Sequence, residues 1–268
     1  MRQTFLVSLA ALALAAAAPF GADAQNRPRI GGKPNINGIW QAMNSANWNL
    51  EGHAATQLKD FWRLGAIGAI PAGQSVVKEG KIPYLPEALA RRDENRAGWP
   101  KTDPEAACYL PGLPRATYLP HPFQIIQGDQ DILFVYSFAN ANRAVHMKEN
   151  RKTIDEVPVD LWMGWSNGQW EGDTLVVEVI ANDDRTWLDR AGNYHSNQMK
   201  VTERYTPLDA NRMQYEATID DPETFSAPWT ISMHLYRNTE PNAELLEYKC
   251  VEFSENLLYN EFLKEPLP

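Results

Sequence analysis

The feature that most narrows the fold is a change of period at Pro122. From there the chain reads as short runs in which every second residue is apolar: Phe123–Gln127, Asp131–Phe138, Arg143–Lys148, Thr174–Ile180, Met199–Tyr205, Arg212–Ile219, Pro228–Tyr236 and Leu245–Val251. A β-strand points successive side chains to opposite faces, so a period of two predicts half-buried strands. Turn chemistry separates them at Gly128-Asp129, Asn167-Gly168, Gly172-Asp173, Leu208-Asp209-Ala210-Asn211, Asp220-Asp221-Pro222 and Pro241-Asn242. Connections this short join antiparallel neighbours, and no helical pattern recurs between the runs to carry parallel crossovers. The expectation is a mainly β fold, an antiparallel β-barrel or strongly curved sheet, because closure removes exposed strand edges.

Alternation also assigns the faces. Met213, Tyr215, Ala217 and Ile219 share one face of their run, and Trp229, Ile231, Met233 and Leu235 share one face of theirs. The run Met199–Tyr205 places Glu203 on the same side as Met199, Val201 and Tyr205. A carboxylate among inward apolar residues is costly unless it is paired or protonated. An internal ion pair with Arg143 or Arg204 is one reading of Glu203; a catalytic carboxylate is the other.

The region before Pro122 is irregular and rich in Pro. Two patches predict helix: Glu51–Leu64, with Ala54, Ala55, Leu58, Phe61 and Trp62 at rough three-four spacing, and Pro86–Asn95, with Pro at a first helical position. Residues 25–121 are therefore expected to form an irregular cover with one or two short helices over a β core at 122–251, followed by a tail at 252–268, all in one β-rich domain. The first 24 residues read as a secretory leader: Arg2, an apolar run from Phe5 to Ala18, and a small-x-small site at Ala22-Asp23-Ala24. Cleavage there would start the mature chain at Gln25 and place it in the periplasm or outside the cell. No later apolar stretch approaches the ~20 residues of a membrane helix, so no membrane insertion is expected. Cys108 and Cys250 are the only cysteines, and an oxidising compartment favours joining them. A cysteine nucleophile would need a partner His, and no Cys-His motif is present. The formal net charge of −9 opposes binding to nucleic acid.

Several motifs carry a resemblance. Trp162-Met163-Gly164, Ser166, Gly168 and Trp170-Glu171-Gly172-Asp173-Thr174-Leu175-Val176-Val177 form a dense segment. It continues through Thr186-Trp187-Leu188-Asp189, Gly192, His195-Ser196 and Val201-Thr202-Glu203-Arg204, and extends back through Ile82-Pro83-Tyr84, Asp103-Pro104, Cys108, Leu110-Pro111-Gly112 and Pro114-Arg115. Together these resemble a widespread uncharacterised family of exported proteins of Gram-negative bacteria. The family has no assigned reaction, so the resemblance implies export and transfers no residue role. Trp165 stands where such proteins tend to have a polar residue, which would make a local cavity more aromatic here. Asn37-Gly38-Ile39-Trp40 resembles the Gly-x-Trp signature of lipocalin-like barrels, in which the Trp closes the barrel bottom.

Chemistry is sparsely signalled. The five histidines, His53, His121, His146, His195 and His234, form no metal-ligand spacing, and there is no Gly-rich phosphate loop, dinucleotide fingerprint or nucleophile elbow. No metal or other cofactor is expected. The segment Asn182–Arg204 is densest in polar and aromatic groups. His195 is the leading candidate for proton transfer, with Glu203 or Asp189 as its partner and His146 as the reserve. Trp187 and Trp165 could wall a site for a flat ligand, with Arg143 and Arg204 as further binding residues. These residues suggest a cofactor-free lyase or isomerase acting on a small hydrophobic or aromatic compound. The alternative is a lipocalin-like carrier of such a compound. The inward Glu203 tips the expectation toward the enzyme, since a purely apolar carrier has no need of it.

Overall fold

The computed structural model describes residues 28–58, 69–128 and 130–251. The expected leader and tail, and the second half of the Glu51–Leu64 patch, lie outside the described residues. Along the chain the strands are β1 (Arg29–Ile30), β2 (Lys33–Pro34), β3 (Gly38–Ala42), β4 (Thr56–Gln57), β5 (Ala69–Ile70), β6 (Phe123–Gln127), β7 (Ile132–Tyr136), β8 (Asn142–Met147), β9 (Trp165–Glu171), β10 (Thr174–Ile180), β11 (Lys200–Pro207), β12 (Arg212–Asp220) and β13 (Trp229–Arg237). Helix α1 (Pro86–Gly98) and the single turn α2 (Arg115–Tyr118) lie in the cover. The protein is mainly β, and a closed, lipocalin-like barrel runs β10-β11-β12-β13-β3-β6-β7-β8-β9 and back to β10.

The barrel follows from the alternation. In β12 and β13 the apolar positions Met213 through Ile219 and Trp229 through Leu235 are buried, while their neighbours are half-buried or exposed. Inward side chains of neighbouring strands fill the interior, among them Leu175, Val177, Val201, Tyr205, Phe134 and Ile125, each at 0% exposure. Burying a side chain of this size contributes roughly 1.5–3 kcal/mol. Trp40 on β3 is buried, donates its indole N–H to the Ile36 carbonyl at 2.9 Å, and is covered by the Arg237 guanidinium at 4.8 Å.

Four expectations about the β core need correction. The barrel does not begin at Pro122: β3 supplies a stave between β13 and β6. Asn167-Gly168 is not a turn but the middle of β9. Glycine is needed there because a Cβ at Gly168 would sit 2.4 Å from Met147 Sδ and Val145 Cγ1, so the β8 side chains could not pass. The pairing is not wholly antiparallel, since β8 and β9 run parallel in the register Val145↔Ser166, His146↔Asn167 and Met147↔Gly168. Leu245–Val251 is not a strand. Both edges of β13 are already taken by β12 and β3, so no edge is left there for it to pair with.

The cover is tied on by side chains. Glu51–Leu58 is not helical: His53 exchanges backbone hydrogen bonds with Gly73, and the Glu51 carboxylate accepts from the Ile82 N–H at 2.8 Å. α1 starts at Pro86 as expected and ends at Trp99 before Pro100, burying Ala88 against Trp187 and Tyr194. Cys108 and Cys250 form a disulfide with Cα atoms 5.7 Å apart, which fastens the cover to the segment after β13. No described helix is long and apolar enough to cross a membrane.

Candidate functional site

The pleat of β11 puts Glu203 and Tyr205 on the barrel interior, and the register sets Tyr215 of β12 opposite Tyr205. Glu203 accepts from Arg143 Nη1 at 2.6 Å, Tyr215 Oη at 2.6 Å and Tyr205 Oη at 2.9 Å. Arg143 also donates Nη2 to Tyr205 Oη at 2.8 Å and lies over the Phe134 ring at 4.5 Å. Burial, together with the Glu203 charge, pushes both tyrosines well above their ordinary range, so they stay protonated as donors. Both ions are almost fully buried, and their charges cancel inside the protein. Arg204, the other proposed partner, points outward and pairs with Glu171 at 2.9 Å.

Asp189 and His195 lie in two further networks. Asp189 is completely buried and accepts from the N–H groups of Leu50, Ala191 and Asn193 and from Asn193 Nδ2. Burial raises its pKa to about 6, against the pull of those donors. His195 is also at 0% exposure. Its Nδ1–H donates to the Ser196 carbonyl at 2.8 Å, and Nε2 lies 2.7 Å from Thr186 Oγ1. Burial lowers its pKa, which keeps the ring neutral, so Nε2 accepts from the threonine hydroxyl. Both nitrogens are engaged and neither meets solvent. Trp187 is buried between α1 and Tyr194. The expected arrangement of His195, Asp189 and Glu203 around one concavity is therefore absent. Each is buried with a different set of partners, and each set joins pieces of the fold.

A different group of the proposed residues does converge. Where β8 and β9 meet, a cleft of about 510 Å³ is lined by Leu110, Asn140, Ala141, Asn142, Arg143, Ala144, His146, Leu161, Trp162, Met163, Gly164, Trp165 and Ser166. Because β8 and β9 run parallel, the chain between them crosses over as residues 148–164, and its last four residues form one wall. Gly164 turns the chain into β9 with φ +60°, and a Cβ there would meet Val179 Cγ1 at 2.5 Å. His146 stacks on Trp165 with ring centroids 4.0 Å apart and planes 10° from parallel. Lys152 lies over the same indole at 4.3 Å, and Asn167 Oδ1 accepts its N–H at 3.1 Å. Trp162 is stacked on Tyr109 at 5.1 Å and carries the Arg185 guanidinium 4.5 Å from its ring.

His146 is the titratable group of this cleft with its nitrogens unused by the protein among the described residues. Burial, its largest influence, holds its pKa below the ordinary 6.5, while Asp131 pulls the other way. The imidazole is thus neutral near pH 7 and able to accept a proton. Trp162, Met163, Asn142 and Ser166 were not singled out as site residues from sequence. The compact Trp162-Met163-Gly164 motif was the available signal, but its role depends on the parallel seam. A larger groove of about 890 Å³ runs beneath the crossover, with charged residues of both signs and no aromatic ring among its described lining. Among the described residues, no three His, Cys, Asp or Glu side chains are grouped to hold a metal ion. Compared with known proteins, the chain matches no family model, no curated protein and no solved structure.

Proposed function

We propose that this is an exported barrel protein that binds a small aromatic compound in the cleft at the β8–β9 seam. The observation that carries the reading is the convergence of Trp162, Trp165, Met163 and His146 on one concavity beside an otherwise filled barrel. Ligand sites are typically apolar concavities with a few placed polar groups, and this cleft has that make-up. Export is supported by the Ala22-Asp23-Ala24 site and by the disulfide, which persists in oxidising compartments. The sequence argument for an enzyme rested on the inward Glu203, and that carboxylate is committed to Arg143. Binding therefore stands ahead of catalysis.

Isothermal titration with a panel of small aromatic alcohols, amides and acids tests this reading. Ala144 is exposed on β8 and lines the cleft, so Ala144→Trp should fill it without disturbing the core. Binding of any hit should weaken by about tenfold or more in that variant, and Trp165→Ala should lose roughly threefold to tenfold, the worth of one aromatic contact. Affinity unchanged by Ala144→Trp would place the ligand elsewhere.

A second reading is favoured by one observation, the neutral His146 in the cleft lining, whose ring nitrogens have no protein partner among the described residues. Acid–base turnover of the bound compound, of the lyase or isomerase type, would run through that imidazole. His146→Ala would then lower turnover by about 10²–10⁴. Full activity in the variant would remove the catalytic reading and leave the carrier.

A further inference from the structure

We infer that the ligand of the cleft is uncharged, an aromatic ring bearing a hydroxyl, amide or carbonyl group, because the guanidinium in the cleft lining is already committed to a carboxylate of the protein. This rests on the cleft being the binding site. Arg143 lies in the lining, but its Nη1 is given to Glu203 and its Nη2 to Tyr205. A carboxylate ligand is held best by two parallel N–H donors of one guanidinium, and that fork is spent inside the barrel. Arg185, which lies over the Trp162 ring and is not part of the lining, is bound through Nε at 2.8 Å and Nη2 at 2.5 Å to Asp183. The remaining charges stand outside the cleft and oppose each other. Lys152 covers Trp165 and lines the neighbouring groove, while Asp131 acts on His146 from the start of β7.

What the cleft offers instead is neutral. Asn140 and Asn142 are exposed at its rim, and Ser166 Oγ, accepting weakly from Arg143 Nη1 at 3.4 Å, keeps its own proton to donate. Arg143 Nε is a buried donor with no partner in the protein, on a guanidinium whose charge Glu203 balances. No Asp or Glu is among the described lining residues, so an ammonium ligand meets no counter-charge either. Placing an unpaired ion in such a site costs desolvation that nothing returns.

Calorimetric titration with benzyl alcohol, benzamide, benzoate and benzylammonium distinguishes the cases. The two neutral probes should bind at least about tenfold more tightly than either ion, with little change between low and high salt. Tightest binding by benzoate or benzylammonium would overturn the charge inference while leaving the cleft as a binding site. No binding by any of the four, in a protein shown to be folded, would overturn both. Glu203→Gln adds a second reading, because it leaves Arg143 with an uncompensated charge. There the affinity for benzoate relative to benzamide should rise about tenfold. An unchanged ratio in a folded Glu203→Gln protein would show that the pairing is not what excludes the anion. If that variant does not fold, the wild-type comparison still decides.

Discussion

The barrel and its cover each bury ions, and they satisfy them by different means. Inside the barrel one carboxylate meets one guanidinium, and the extra donors are hydroxyls of Tyr205 and Tyr215, placed two residues away and across the register by the pleat itself. In the cover, Arg115 is clamped by both oxygens of Asp103 at 2.8 Å and also touches Glu105, whose two oxygens hold Arg190 at 2.8 Å. Burial alone would push Glu105 up, but Arg190 and Arg115 hold it down at about 2. Asp189 is satisfied by loop N–H groups rather than by a cation. A regular sheet can therefore carry a buried ion with little machinery, while an irregular layer uses charges as its fasteners.

The largest expected break in this comparison is Arg115→Met, which strands Asp103 in the cover and leaves Glu105 with Arg190 as its single cation. Removing one partner of a buried pair costs about 3–5 kcal/mol, and urea unfolding should show a loss at the upper end of that range. Glu203→Leu should cost about 3–5 kcal/mol as well, at the lower end, because a single cation is left behind. Adding Arg143→Met to it should restore most of the loss, since a well-packed apolar pair can replace a buried ion pair. Failure of that rescue would mean the barrel pair does more than satisfy itself. Replacing Cys108 and Cys250 by Ser should cost about 2–4 kcal/mol through the unfolded chain, read as a lower urea midpoint without reductant.

Acidification separates two groups buried in the β10–β11 connection. His195 has a folded pKa below its ordinary 6.5, so its contribution is present above pH 6.5 and is lost as pH falls below it. Asp189 has a folded pKa of about 6 against an ordinary 3.8, so its contribution is complete below 3.8 and is lost as pH rises through 6. The two oppose each other between pH 6 and 4. His195→Gln should leave the Asp189 gain unmasked, so the variant gains stability over wild type on acidification by up to about 1.4 kcal/mol per pH unit. Identical pH profiles would show that His195 does not stay neutral in the fold. The smallest effect belongs to Arg29→Gln, which breaks an exposed pair with Asp173 and should leave the urea midpoint essentially unchanged.

How much of this was legible in the sequence follows the same division. Period two located β6, β7, β8, β10, β11, β12 and β13 within a residue or two, because a half-buried strand writes its faces into the chain. β9 was hidden by Asn167-Gly168, whose composition signals a turn but whose glycine makes room for β8. β3 was flagged only by Trp40, since five residues are too few to show a period. Glu203 was legible as an inward carboxylate, and Arg143 was among its proposed partners. The clustering expected of His195, Asp189 and Glu203 was not, because proximity in sequence says nothing about which buried donors saturate each group. The cleft was partly legible: His146, Trp165 and Arg143 were singled out one by one. Their meeting depends on a parallel seam that alternation cannot distinguish from an antiparallel one.

The position of β3 in the ring governs the order of assembly. Ala42 pairs with Leu235 and Trp40 with Phe123, so a stave from the beginning of the chain is seated between two that come much later. The hairpins β9–β10 and β11–β12 can zip from local turns, whereas the ring stays open until this wedge finds both neighbours. Contacts so distant in sequence slow folding, because loop closure must precede any reward. Until then β13 and β6 present bare edges, and a nascent molecule is at its stickiest just before it becomes edgeless.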